Sequence, residues 1–492
     1  MSAESGLGGD LLDSDRAGQA AIRGSALRTL GYAAGVLLSL ASAPLLIRHL
    51  GVADFGRYTT VLSLVALVAG LTEGGLNQIA LREMAANDRG QRETIMANVL
   101  GLRLILATVT VAVAIAFAIV LGFEAALVLG TLAAATGIFI TLLQTLLVIS
   151  LQGNLRFGWT TLLELLRQTL SVVLIVVLVV VGAGLVPFFF IPIPVGLIVL
   201  GVSVPLVRKL IPLRPRFDRA LLWPLVRDTL PFAAAVAANV VYFRIAVVLI
   251  AVVASKEQTG YFATSFRIVD VIIGIPALIV SAAFPILARA SAQNDAARFS
   301  YATGRLGELM VVLGVLLALP LALGAPVVIE ILGGAEAEPA VPVLRIHAAA
   351  LVITCVALGA GHALLSVRRH TAILIANLAA LLTVTSLTLV LASSEGARGA
   401  ATATFAAEAV LAAGLLIALA RGDSGAPLRS LGNGAARVLL AGAAGAAVAL
   451  LPGLPPLADA AIGVVVFGAT LTALGRFPPE LAEAIRGRRP VN

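Results

Sequence analysis

Cysteine, histidine and charge are all scarce in this chain. Cys355 stands alone among 492 residues, which excludes an intramolecular disulfide and any cysteine-based metal motif. The four histidines are scattered, and no His/Cys metal cluster is present. There is no Walker A loop for ATP hydrolysis and no G-x-S-x-G nucleophile elbow. Only 12% of the residues are charged. A soluble protein needs roughly a quarter charged residues to cover its surface. What the chain has instead is apolar length: 60% of it is hydrophobic. It is therefore expected to be an all-α polytopic membrane protein. Continuous apolar runs, rather than alternating ones, exclude a closed β-barrel. Gln168 to Val207 is 40 residues without a charge. At ~1.5 Å per residue this is twice the hydrocarbon thickness, so it folds back as a helical hairpin.

About 14 transmembrane helices are predicted. Spans 1 and 2 cover 26–48 and 57–81, spans 7 and 8 cover 228–253 and 258–287, and spans 13 and 14 cover 434–452 and 457–475. With the N-terminus inside, 25 of the 34 Lys and Arg residues fall on inner segments and 4 on outer loops. This bias predicts that both termini are cytoplasmic. It also accounts for the net charge of +8 without nucleic acid as a partner. The tail at 1–24 is polar, rich in Gly and Ser, and unlike a signal peptide. Residues 208–227 form the most basic loop, with Pro212, Pro215 and Pro224 as helix breakers.

That loop separates two similar halves. The residues around Gly56 resemble those around Gly260, an offset of 204 that superposes spans 1–6 on spans 7–12. The expected organisation is a disordered tail at 1–24, an N-lobe at 25–207, a basic linker at 208–227 and a C-lobe at 228–420. Two extra C-terminal helices at 421–475 and a basic tail at 476–492 follow. Two six-helix lobes in tandem imply a cleft between them.

Residues 230–294 carry the most unusual chemistry. Two apolar runs flank a polar turn, Lys256 to Gly260, and contain Arg244, Arg267 and Asp270. An ionised group in a lipid-spanning helix costs about 2.5–3.5 kcal/mol or more, so it normally faces a polar cavity or a partner. Arg244 lies midway along span 7, too deep for easy snorkelling. Arg267 and Asp270 share one helix face, where they either neutralise each other or serve a ligand. By the offset their first-half counterparts are Leu40 and Ser63, so the deep cations belong to the second half alone. Arg345, near the start of span 10, is either a third cavity cation or an interface residue. Arg103 and Arg167 read as interface anchors, with Glu164 as the i,i+3 partner of Arg167. Glu73, Asp270 and Glu408 are the intramembrane carboxyls available for ion coupling. His362 reads as a core or helix-end residue. Pro231, Pro276 and Pro285 are candidate kinks.

Four stretches carry a family resemblance. PLLIRHLGVADFGRYTTVLSLVALVAGLTEGGLNQIALREMA at 44–85 has a Leu-Gly turn, an aromatic-Gly-x-Tyr start to span 2, a Gly-Gly-Leu and an Arg-Glu exit. YFRIAVVLIAVVASKEQTGYFATSFRIVD at 242–270, IEILGGAEAEPAVPVLRI at 329–346 and GARGAATATFAAEAVLAAGLL at 396–416 follow in order. Together they resemble the polysaccharide (Wzx-type) flippases of the multidrug/oligosaccharidyl-lipid/polysaccharide exporter superfamily, which are MATE-like. The resemblance runs from about residue 25 to 420. One departure is that Ile245-Ala246 follow Arg244 where the family often has an Asp, so no cation-coupling role is carried over to that position.

The resemblance implies a non-enzymatic transporter in a bacterial inner membrane. Its cargo would be a polyprenyl-pyrophosphate-linked glycan, moved from the inner to the outer leaflet by alternating access. Membrane lipids and polysaccharide polymerase or export proteins would be its partners, and no cofactor beyond H+ or Na+ coupling is implied. Arginine suits a pyrophosphate, because its planar fork donates two hydrogen bonds and stays charged. The residues expected at the cargo are Arg244, Arg267 and Arg345. Three other functions remain open: a MATE-like drug or metabolite antiporter, a peptidoglycan-precursor flippase, and a membrane polymerase or ligase. An antiporter for organic cations favours acidic cavity residues, and the enzymes need a large outer loop. No outer loop here exceeds about 20 residues.

Overall fold

A computed structural model describes residues 17–73, 76–77, 80, 89–153, 156–208, 210, 214–421, 428–450 and 453–475. Among these residues there is no strand. The expected tails at 1–16 and 476–492 lie outside the described residues. Residues 17–24, expected in the N-terminal tail, are already helical.

Helix α1 (Ala17–Glu73) turns at Gly51, where φ is 75° and ψ is 166°. Glycine occupies such a backbone without the Cβ penalty, and this joint divides expected spans 1 and 2. Then follow α2 (Arg89–Val120), α3 (Ala125–Gly153), α4 (Phe157–Val180), α5 (Leu185–Phe190), α6 (Pro192–Val207) and α7 (Arg219–Val253). The second half runs α8 (Lys256–Ile272), α9 (Gly274–Ala292), α10 (Ala296–Leu323), α11 (Ala325–Gly333) and α12 (Ala340–Ser366). It closes with α13 (His370–Glu395), α14 (Ala397–Ala420), α15 (Leu428–Ala446) and α16 (Pro456–Ala473).

Among the described residues, twelve helical stretches are long and apolar enough to cross a membrane. The first, Leu37–Glu73, contains the Gly51 turn between expected spans 1 and 2, and expected span 13 appears as a shorter apolar helix, Gly434–Ala446. Large apolar side chains point outward, among them Leu382 at 71% and Val390 at 65% exposure on α13. An apolar face of that kind matches lipid rather than water.

Two expectations from the sequence are revised locally. Lys256 to Gly260 is not a turn but the first turn of α8. The side chain of Ser255 caps it by accepting from the Gln258 backbone N–H, as an N-cap serine does. Span 8 is also broken, with α8 ending at Ile272 and α9 starting at Gly274. Pro276 has no N–H to donate back to the preceding turn, which accounts for the break.

The chain divides into two compact units. Unit 1 holds residues up to Leu50 and Tyr58–Arg244; unit 2 holds Gly51–Arg57 and Ile245 onward. In unit 1, α3 is central and packs on α2, α5 and α6. In unit 2, α12 is central and packs on α8, α9, α10 and α14. The terminal helices α15 and α16 attach to α10, burying Val438, Ala441, Phe467 and Leu471 against Val315 and Leu319. Glycines let α15 and α16 approach each other closely: a Cβ on Gly445 would sit 2.6 Å from the carbonyl oxygen of Gly463.

The two glycines related by the 204-residue offset meet inside unit 2. A Cβ on Gly56 would lie 2.6 Å from the Gly260 nitrogen, and one on Gly260 would lie 2.1 Å from the Val52 carbonyl oxygen. Backbone lies on backbone here, so no flexible side chain can yield. Gly260→Ala is expected to cost about 1–3 kcal/mol by overpacking. Gly201→Ala on α6, where the added Cβ meets nothing within 4 Å, should be neutral or slightly stabilising. Thermal unfolding, with hydrogen exchange across 51–57, checks both.

Candidate functional site

Unit 1 places one polar cluster within its membrane-spanning helices. Arg103 on α2 is 1% exposed. Its Nη1 lies 3.3 Å from Glu73 Oε1 near the end of α1, and its Nη2–H donates to Asn77 Oδ1. Asn77 Nδ2–H in turn donates to Glu73 Oε1. Glu73 and Asn77 are four residues apart, so they present their polar ends on one helical face. This corrects the reading of Arg103 as an interface anchor. The interface is reached by a flexible stem in open space, whereas this side chain is enclosed and ion-paired. Nothing local in the sequence connects Arg103 to Glu73, which is 30 residues away. Arg167 does pair with Glu164 as the i,i+3 spacing predicts, through contacts of 2.6 and 3.1 Å.

Arg244 lies on α7, half-buried, 12 residues beyond the start of the apolar stretch Phe232–Val253. Its guanidinium sits over the Phe243 ring, 5.3 Å from the centroid. This cation–π contact orients the head near the middle of the helix.

Helix α8 has two chemically different faces. Phe262, Ser265, Phe266 and Val269 are buried, following the i, i+3, i+4, i+7 pattern of a packed stripe. Arg267 and Asp270 are half-buried, one turn apart on another face. The buried stripe leads to a residue that sequence reasoning did not single out. His347 on α12 is 2% exposed. Its Nδ1 lies 2.7 Å from Ser265 Oγ, and the Phe262 ring meets it edge-on at 5.0 Å. Its Nε2 has no partner among the described residues. Position in an apolar helix offered no signal for it, because a lone histidine there is indistinguishable from a packed one.

The other candidates stand apart. Arg345 is exposed, and its Nε–H donates to the Ala322 carbonyl at 3.3 Å. Glu408 is 4% exposed on α14, close enough to the buried Cys355 of α12 to interact with it electrostatically. His362 Nδ1 lies 3.0 Å from the Leu358 carbonyl oxygen, and Phe284 faces its ring edge-on at 6.3 Å. Among the described residues, no group of three or more His, Cys, Asp or Glu could hold a metal ion. The charged side chains among these candidates are arginines and carboxyls.

Comparison with known proteins identifies the fold and the family. No curated protein matches the chain. Among solved structures, the lipid II flippase MurJ in an inward closed conformation superposes with a TM-score of 0.75 at 14% identity, covering 92% of this chain and 99% of that one. An inward-facing MATE multidrug-resistance transporter of the MOP superfamily gives 0.63 at 17% identity, covering 83% and 96%. A MOP superfamily transporter from Pyrococcus furiosus, whose binding pocket has reversed polarity, gives 0.61 at 18% identity, covering 84% and 97%. These likenesses establish a shared fold. The family model described as "Polysaccharide biosynthesis protein" matches residues 21–291, more than half of the chain. The chain is an integral membrane protein of the polysaccharide biosynthesis protein family, on the fold of the MOP-superfamily transporters.

Proposed function

We propose that the protein flips a polyprenyl-pyrophosphate-linked oligosaccharide from the inner to the outer leaflet of a bacterial inner membrane, by alternating access and with both termini cytoplasmic. The observation that carries this reading is a half-buried arginine, Arg244, in the middle of an apolar spanning helix of a polysaccharide-biosynthesis chain. A pyrophosphate must leave water to cross, and fixed guanidinium groups replace its lost hydration. Arg244 is the principal ligand of this reading, and Arg267, on α8 of the other unit, is a separate candidate. Arg345 already donates to a backbone carbonyl and is exposed, which supports leaving it outside the pyrophosphate site.

For ion coupling, Glu408 and Asp270 are the carboxyls of choice. Glu73 is ion-paired with Arg103 and serves unit 1 structurally. Flipping in proteoliposomes is expected to respond to an imposed proton or sodium gradient. Indifference to both gradients removes the coupling proposal but leaves the cargo proposal standing. In cells, depletion of the protein should trap the lipid-linked oligosaccharide in the cytoplasmic leaflet and stop surface polysaccharide. Normal surface polysaccharide after depletion overturns the assignment.

A MATE-like antiporter is the competing function on this fold. Organic cations call for acidic cavities, whereas Arg244 and Arg267 are half-buried cations. A peptidoglycan-precursor flippase shares the pyrophosphate and differs in the glycan, so transport of the two lipids side by side separates them.

A further inference from the structure

Outside the transport residues, unit 1 has a built surface feature where the basic linker meets α2. The Arg216 backbone N–H donates to the Ala97 carbonyl at 2.9 Å. The Asp218 N–H donates to Asn98 Oδ1 at 2.6 Å, and Asn98, 1% exposed, is held by the Thr94 carbonyl. A Cβ on Gly101 would lie 2.1 Å from the Arg216 carbonyl oxygen and 2.9 Å from the Phe217 ring. Only glycine lets the linker lie flush against α2 at that point.

Beside this seat is a crevice of about 340 Å³, walled by Leu102 and Ile105 of α2 and by Phe217, Leu222 and Trp223, with Arg219 along its edge. Phe217 is 59% exposed, Trp223 62% and Ile105 51%. From Ile105 the apolar wall continues down α2 through Val109 and Phe117, both exposed. That spacing keeps them on one side of the helix, so the crevice opens onto the membrane-facing stripe of α2. Arg219 lines its edge and Arg216 sits on the adjoining backbone seat, both exposed; the same basic segment also carries exposed Arg208, Arg214 and Arg227. Among the described residues none of these five arginines forms an ion pair.

We propose that this crevice binds an anionic phospholipid, with its headgroup phosphate on the linker arginines and one acyl chain along Ile105 and Val109. Three features select this occupant. The arginine cluster matches an anionic leaflet. The exposed tryptophan has the amphipathic ring found at membrane interfaces. The groove runs into a face that is apolar for the length of a span, where an acyl chain fits and a soluble partner does not. The site is independent of which cargo the protein moves.

The chain has two tryptophans, so Trp159→Phe leaves Trp223 as the sole indole reporter. The full-length variant is reconstituted in phosphatidylcholine vesicles containing equal small fractions of either acyl-brominated phosphatidylglycerol or acyl-brominated phosphatidylcholine. Brominated phosphatidylglycerol is expected to quench Trp223 at least twofold more strongly. Adding Arg216→Gln and Arg219→Gln should raise the quenching midpoint, by ~fivefold for each arginine lost. Equal quenching by the two lipids overturns the proposal, because it reports unselective bilayer contact. An unchanged midpoint in the arginine variant overturns it too. Displacement of the brominated phosphatidylglycerol by equimolar polyprenyl phosphate, but not by unlabelled phosphatidylglycerol, assigns the crevice to cargo and overturns the phospholipid assignment.

Discussion

Arg244→Ala is expected to lower glycan-lipid export by roughly 30- to 700-fold, the equivalent of about 2–4 kcal/mol for losing a desolvated charged hydrogen-bonding partner. Arg244 lies 12 residues into a 22-residue apolar stretch, where a charged side chain costs about 2.5–3.5 kcal/mol even on the most lenient scale. The Phe243 ring sits 5.3 Å from the guanidinium, and a guanidinium is a planar fork that can donate to two phosphate oxygens. Arg244→Lys keeps the charge and loses the bidentate geometry, so it should restore export only in part. Both variants should fold, since Arg244 is half-buried and outside the fully buried core. Export at wild-type level by a well-expressed Arg244→Ala protein, scored by surface polysaccharide, would remove Arg244 from the cargo site.

Glu73→Gln should strongly destabilise unit 1. Arg103 is 1% exposed and its counter-charge is Glu73 at 3.3 Å. Neutralising the carboxylate leaves the buried guanidinium with neutral acceptors but without its counter-charge, at a cost of about 3–5 kcal/mol. A second variant separates a lost ion pair from simple misfolding. Glu73→Gln combined with Arg103→Met removes both charges and keeps the volume, and should regain most of that stability. Thermal or detergent-induced unfolding of the purified proteins measures both. Equal stability of Glu73→Gln and the wild type would mean that water, not Glu73, solvates Arg103.

The architecture was largely legible in the sequence because its governing rule is one-dimensional. A helix must be apolar for about 20 residues to cross a bilayer, and length alone locates it. The turn at Gly51 was legible as well, since Leu-Gly between two apolar runs calls for a residue that accepts positive φ. The internal repeat marked Gly56 and Gly260 as equivalent, and backbone contact between them shows why neither carries a side chain. The features that escaped depend on partners distant in sequence. Arg103 looked like an interface residue because its acidic partner lies on another helix. His347 is distinguished only by Ser265, 82 residues away. The break at Ile273 and the cap at Ser255 are local, but in apolar or polar runs of mixed character several boundaries satisfy the same pattern. Arg244 is legible in the sequence as a charge inside an apolar run; its contact with Phe243 is visible only in the fold.

The central claim is that this arginine-bearing membrane protein moves an anionic glycolipid. Its most direct test is transbilayer movement in proteoliposomes of the purified full-length chain, loaded with a fluorescent polyprenyl-pyrophosphate-linked oligosaccharide. Access of an external reagent to the labelled glycan is followed, with an organic-cation drug assayed in parallel. The predicted result is flipping of the glycolipid that is lost in Arg244→Ala, with no transport of the cation. Transport of the cation without movement of the glycolipid would contradict the account.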